Sequence, residues 1–406
     1  MLFRYALTFF ILFVGVGVDN FVHIDSNPVE KSMLFGLGML FLFTRKVRWD
    51  VLILIVLMLL MTLISAFLSS YYNLSFNRYV RSVFSLSATF LLLAGTPTEK
   101  DRNTMIRLLT ALPIIMVVMG SIYEVVGIRT LFYVDFLGAP RLQGSSIPAG
   151  LGTAGYLGSV AAMLGAAFLN KKIYLPLAFV NLIILVLSAA RMPLALSVAI
   201  CGYVYFVMVN RSFLMRAASV GAVIPAAAGF VLLFGESILT RFGSESLSGR
   251  DLIWDALQRV ADAYPYFGIG LGHQILVIPG DVAFLAQTMA AHNEYLRVTV
   301  ETGYVGATVI FALIALMCVA IWLRPATGRN FAFVLMCVSF FVYCRTDNAI
   351  SSTTTPFMLA LASFVFSARL TRTSSQAKEK RQNNWERTSK LAPTPGNEKW
   401  NEGYHI

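Results

Sequence analysis

This chain predicts an all-α, polytopic membrane protein of about 12 transmembrane helices, with one large extracytoplasmic loop that contains amphipathic helices. Three observations lead there. Apolar residues make up 57% of the 406 and charged ones 13%, with mean hydropathy +0.71, where a soluble chain carries about 25% charged residues. The apolar residues fall in runs that approach the roughly 20 needed to cross a bilayer core. Basic residues cluster in the short connections between alternate runs, which is the positive-inside pattern. The net charge of +11 therefore describes topology, and it argues against a nucleic-acid partner, whose footprint would be one basic patch.

The twelve runs lie near 2–18, 32–44, 50–69, 79–95, 105–126, 148–169, 173–190, 192–209, 213–234, 298–323, 330–345 and 353–369, the second and eleventh being short. The first follows Arg4 and has no clear small-residue cleavage pattern after it, so it reads as a signal anchor. Arg45, Lys46 and Arg48, then Lys100, Arg102 and Arg107, then Lys171 and Lys172, then Arg211 and Arg216, then Arg324 and Arg329 occupy alternate connections. That face is expected to be cytoplasmic, with both termini on it. The resulting organisation is nine transmembrane helices over 1–234, a large outer loop over 235–297, three more helices over 298–369, and a basic tail over 370–406. The tail's polar composition predicts disorder and contact with anionic membrane lipid. Cys201, Cys318, Cys337 and Cys344 all fall in or at the edge of apolar runs and read as small buried residues, with no metal or disulfide spacing.

The long loop holds most of the polar pattern. Ser248 and Asp251 form a Ser-x-x-Asp capping box. Leu252, Ile253, Ala256, Leu257, Val260 and Ala261 follow at helical spacing, predicting an amphipathic helix that Pro265 ends. Arg250 sits in its first turn, where the helix dipole and free N–H groups already favour an anion. Its planar fork suits a phosphate or diphosphate, although a solvated loop arginine would look the same. Trp254, one turn on, could stack on Arg250 or anchor the helix at the interface. Gly268, Gly270 and Gly272 alternate with apolar residues and predict a compact turn back to the bundle.

His292 and Asn293 stand where the polar loop meets the tenth apolar run, and Glu294, Arg297 and Glu301 occupy that helix's first turns. Charges within a bilayer helix cost about 2.5–3.5 kcal/mol each, so they should face a polar cavity. Gly303 and Gly306 allow a close neighbour. Of the four histidines, His23 lies in an early loop, His405 near the end, and His273 and His292 in the long loop. His292, at the expected cavity mouth, is the candidate general base. Arg191, between the seventh and eighth runs, and Arg141, before the sixth, fit either a substrate-binding role or an interfacial anchor.

In order, Ser-Gly-Arg-x-x-x-Trp (248–254), Pro-x-x-Gly-x-Gly-x-Gly (265–272), His-Asn-x-x-Leu (292–296) and Glu-x-Gly-x-x-Gly (301–306) resemble the O-antigen ligase and Wzy-type polysaccharide polymerase superfamily. The resemblance implies a GT-C-like, metal-independent glycosyltransferase of the bacterial inner membrane. Its donor would be a glycan on undecaprenyl diphosphate, and it would use no cofactor. It also implies that Arg191 and Arg250 hold the donor diphosphate, that His292 is the base, and that Arg141, Asn293, Glu301 and Trp254 contribute to substrate binding. Ala290 and Ala291 stand where an extended histidine pattern would mark a ligase, which favours polymerisation of exopolysaccharide or O-antigen units. A chain-length regulator is the further partner of that reading.

Three other readings compete. A ligase would pass the glycan to a lipid A core. A flippase for the same glycan predicts paired broken helices near the midplane rather than one large one-sided loop. A peptidoglycan glycosyltransferase would use a loop aspartate, here Asp251 or Asp255. The sequence shows no Asp-x-Asp or histidine-rich cluster that would hold a divalent metal.

Overall fold

The computed structural model describes residues 1–22, 27–71, 73–134, 138, 140–209, 212, 250–286 and 288–368. The expected ninth span at 213–234, Ser248, His23, His405 and the tail lie outside the described residues. Helices occupy the other eleven apolar runs: α1 (Leu2–Val16), α3 (Asn27–Thr44), α4 (Trp49–Leu68), α5 (Phe76–Leu91), α6 (Glu99–Val125), α7 (Pro148–Phe168), α8 (Tyr174–Leu187), α9 (Arg191–Tyr203), α12 (Glu294–Trp322), α13 (Phe331–Cys344) and α14 (Pro356–Phe366). A short α2 (Asp19–Val22) follows α1, and a π-helical turn (Val204–Val209) extends α9. The loop contributes α10 (Arg250–Ala263) and α11 (Gly280–Ala286). Among the described residues, five helices are long and apolar enough to cross a membrane: α4, α6, α7, α9 with its π turn, and α12.

The all-α expectation needs one correction. Residues Phe132–Val134 (β1) and Pro140–Leu142 (β2) pair antiparallel between α6 and α7, with Tyr133 opposite Arg141. β-branched and aromatic residues on β1, and the fixed φ of Pro140 at a strand start, suit a short hairpin outside the helical core.

The bundle's polarity is that of a membrane protein. α4 buries Val51, Ile55, Met58, Thr62 and Ser65 at helical spacing, while Ile53, Val56, Leu57, Leu60, Ile64 and Phe67 are exposed. A helix that turns its hydroxyls inward and its aliphatic chains outward finds its partners inside the protein and its solvent in lipid. α7 is the central element. From Leu151 to Gly165 every residue is buried, because small residues admit close neighbours. A Cβ at Gly155 would meet Leu185 of α8 at 3.0 Å, and one at Gly158 would meet Pro113 of α6 at 2.6 Å. Asn181 of α8 also donates to the Thr110 carbonyl, 3.0 Å, near that proline.

The loop helices have a small core of their own. Ile253, Leu257 and Ala261 of α10 pack with Ile269, Ile278, Ala286, Ala291 and Val300, the last on α12. This seats the loop on the first turns of α12 and places the candidate site there.

Candidate active site

α12 is broken at Gly303, whose φ of +71° and ψ of 173° are not helical. The break releases carbonyls that the glycine-rich turn then uses. Ile269 N–H donates to Val300 O at 3.0 Å, Gly270 N–H to Glu301 O at 2.8 Å, and Tyr304 N–H to the Pro265 carbonyl at 2.7 Å. Only glycine fits the crossing. A Cβ at Gly303 would lie 2.2 Å from the Tyr266 carbonyl, and one at Gly268 would lie 2.5 Å from Val300 O. The expected compact turn is therefore also a clamp on the helix that carries the candidate residues.

The two loop histidines separate by environment. His273 is fully buried and its Nε2 accepts the Ser75 N–H at 2.7 Å, capping the start of α5. His292 is a quarter exposed, and its Nδ1 lies 3.2 Å from Asp347 Oδ1. Its φ of +46° is in the left-handed region, an uncommon conformation for a side chain and one concentrated at functional sites. Trp254 holds the segment by donating from Nε1 to the Ala291 carbonyl at 2.7 Å. The cation on its ring is Arg345, which follows the last residue of α13, 5.0 Å from the centroid, where the spacing offers Arg250 or an interfacial anchor.

Asp347 continues the chain of contacts inward. Its Oδ2 accepts the Tyr343 hydroxyl at 2.6 Å, its Oδ1 accepts the Asn348 N–H at 2.8 Å, and the Tyr343 oxygen lies 2.8 Å from Thr153 Oγ1 of α7. Burial pushes the Asp347 carboxyl pKa upward, but hydrogen bonds from His292 and Tyr343 outweigh it and hold the group below its ordinary 3.8. The group facing His292 is therefore an anion at neutral pH.

Of the sequence-predicted arginines, Arg250 opens α10 within electrostatic reach of the Tyr343 hydroxyl. Arg191 opens α9 two residues before Pro193, which lines a small internal pocket with Thr153 and Tyr343. Arg141 of β2 donates from Nε to the Ser188 carbonyl at 3.1 Å, in the α8–α9 turn. His292 and Arg250 are thus linked to Tyr343, through Asp347 and through its field respectively, while Arg191 and Arg141 stand at the α8–α9 turn. Asn293 and Glu301 make local contacts at the start of α12. Asn293 caps α12, accepting the Leu296 N–H at 3.3 Å. Glu301, 2% exposed, takes Arg297 Nη1 at 2.6 Å and the Gln274 N–H at 3.3 Å, while Arg297 Nε reaches Glu294 at 2.9 Å.

Asp347, Tyr343 and Thr153 were not singled out by sequence. For Asp347 a signal existed: it is the single acidic residue between Glu301 and Glu379. Among the described residues, no group of three or more His, Cys, Asp or Glu side chains could hold a metal ion.

Residues 176–311 match the family model described as O-antigen ligase, Wzy_C. Over these residues the chain is similar to the O-antigen ligase family. The match runs from α8 into α12 and contains Arg191, Arg250, Trp254, His292, Asn293 and Glu301. Arg141, Tyr343 and Asp347 lie outside it. No curated protein matches the chain. A solved chain from work on the structural coordination of polymerization and crosslinking by a peptidoglycan synthase complex is similar at 14% identity and TM-score 0.39, over 79% of this chain and 98% of that one.

Proposed function

We propose that this protein is a GT-C-like glycosyltransferase of a bacterial inner membrane, with about twelve transmembrane helices and both termini cytoplasmic. It transfers a glycan from undecaprenyl diphosphate to an acceptor sugar hydroxyl on the outer face, and its main reaction is polymerisation of exopolysaccharide or O-antigen units. The observation that carries this is the pairing of His292 with Asp347, with Arg250 within electrostatic reach of the adjoining Tyr343 hydroxyl; His292 and Arg250 both fall in the segment that matches the family.

The chemistry follows from the contacts. Asp347 at Nδ1 leaves His292 Nε2 as the acceptor nitrogen, and an anion there stabilises the imidazolium that forms. The acceptor hydroxyl gives its proton to Nε2 as its oxygen bonds to the anomeric carbon. The bond from that carbon to the diphosphate oxygen breaks on the opposite side, so configuration inverts. Negative charge collects on the leaving diphosphate, where Arg250 and Arg191 stabilise it. With arginines in that position no metal is required, and transfer should survive a chelator. Asp251 and Asp255 are exposed on the α10 face away from its core, which counts against the loop-aspartate reading.

The test is complementation of a deletion strain with His292→Ala, Arg250→Ala and Arg191→Ala at matched membrane levels, scoring polysaccharide and lipid-linked intermediates. Accumulation of short lipid-linked units on the outer face supports the reading. Loss of long chains then names a polymerase with its chain-length regulator, and loss of capped lipid A core names a ligase. Wild-type behaviour of all three variants, with intermediates held inside in the deletion strain, contradicts it in favour of a flippase.

A further inference from the structure

A second polar region lies at the α12 start, around Arg297. A cleft of about 320 Å³ opens between α3, α5, α12 and the α13–α14 connection, lined by Lys31, Arg81 and Arg297 together with Ser32, Ser82, Ser85 and Ser351. It is at the low end of the ~300–1,000 Å³ typical of ligand sites, which suits a head group and not a whole glycan. The connection to the candidate active site is short. Arg297 is five residues after His292, and Ser351 is four after Asp347.

The lining selects an anion. Three cationic side chains and four hydroxyls face one space, and hydroxyls complete the hydrogen bonding of phosphate oxygens that guanidinium groups begin. Arg297 is held by Glu294 and Glu301 and forms a fixed wall. Arg81 is exposed, and among the described residues it makes no hydrogen bond, ion pair or ring contact. Lipid access is on the same side. Phe84, one turn from Arg81 and also lining the cleft, is 47% exposed and packs edge-on against Phe35 of α3, with ring centroids 4.8 Å apart.

We propose that this cleft binds the diphosphate of a second polyisoprenyl-linked glycan, the acceptor, while the Arg191 and Arg250 region holds that of the donor. The inference rests on the transferase reading above. Polymerisation joins two lipid-linked chains, so both diphosphates must be accommodated at once, one on each side of His292. The isoprenoid chain leaves past Phe84, and the acceptor sugar extends along the first turns of α12 toward His292.

The probe is farnesyl diphosphate, titrated against the full-length protein in neutral detergent, with farnesol as the uncharged control. Wild type should bind two equivalents of the diphosphate and none of farnesol. Arg81→Ala and Lys31→Ala should each weaken one site tenfold or more while sparing the other, Arg81→Lys should restore part of that loss, and Arg250→Ala should weaken only the other site. A single site in wild type, or two sites indifferent to Arg81→Ala, overturns the proposal. Displacement from the Arg81-dependent site by phosphatidylglycerol as effective as by farnesyl diphosphate overturns it too, because the cleft would then be a general anionic-lipid site. If the Arg81 dependence holds and Arg250→Ala keeps both sites, the cleft stands and the donor assignment fails.

Discussion

The two ends of the helical bundle differ in how many of their arginines are tied to partners within the protein. At the end where α6 begins, arginines are held by carboxylates, carbonyls and hydroxyls of the protein. Arg45 forms a two-pronged pair with Asp101, both contacts 2.6 Å, and Asp101 also completes a capping box with Thr98. Arg324 reaches Asp50 at 2.6 Å, and the buried Arg48 donates to the Leu93 carbonyl and to Ser363 and Ser367. At the other end, where α7, α9, α10 and α12 begin, the one carboxylate facing His292 is engaged by the histidine and a tyrosine. Arg297 there is paired with Glu294 and Glu301, but Arg250 and Arg81 have no carboxylate partner among the described residues. The first arrangement holds helices in place, whereas the second leaves positive charge for a ligand. Equal basicity in the sequence thus separates into two uses once partners are visible.

Substitutions should break this comparison in a graded way. His292→Ala should have the largest effect, lowering transfer about 10²–10⁴-fold, and Arg250→Ala should lower it about 10²–10³-fold, both with unchanged thermal unfolding of the purified protein. Asp347→Asn removes a hydrogen bond to a charged carboxylate, about 1.5–3 kcal/mol, so turnover should fall roughly 10- to 150-fold. The same variant sharpens the electrostatic account. Because the folded Asp347 pKa is depressed, its contribution to stability is fully present above the ordinary value of 3.8 and disappears as pH falls through the lower folded value. The unfolding difference between wild type and Asp347→Asn should stay constant from pH 7 down to about 4 and close below that. Asp101→Asn at the opposite end should do the reverse of the active-site changes. It should destabilise the fold, on the order of 3 kcal/mol for a broken buried pair, while activity per folded molecule is unchanged. Asp50→Asn should have the smallest effect, under about 1 kcal/mol, since its pair with Arg324 is 48% exposed on the aspartate side.

Much of the fold was legible because bilayer helices must satisfy their backbones internally and so appear as long apolar runs. Helix positions, the glycine turn at 268–272 and the buried cysteines all follow from patterns within one segment. The hairpin at 132–142 was not legible, since three-residue strands carry too little alternation to register. The candidate site was legible where its residues sit in local motifs, as with His292 and Arg250. Asp347, Tyr343 and Thr153 come from α13, its following turn and α7, and their meeting is a product of helix packing. Trp254 shows the same limit, as its helical spacing pointed to Arg250 while packing delivered Arg345 from far along the chain.

The most direct test of the central claim is a defined transfer assay with purified protein, synthetic polyisoprenyl-diphosphate glycan and EDTA. Release of polyisoprenyl diphosphate is measured together with glycan elongation for wild type, His292→Ala and Asp101→Asn. The account predicts coupled release and elongation in wild type, loss of both in His292→Ala, and full activity per folded molecule in Asp101→Asn. Elongation by His292→Ala at the wild-type rate would contradict it.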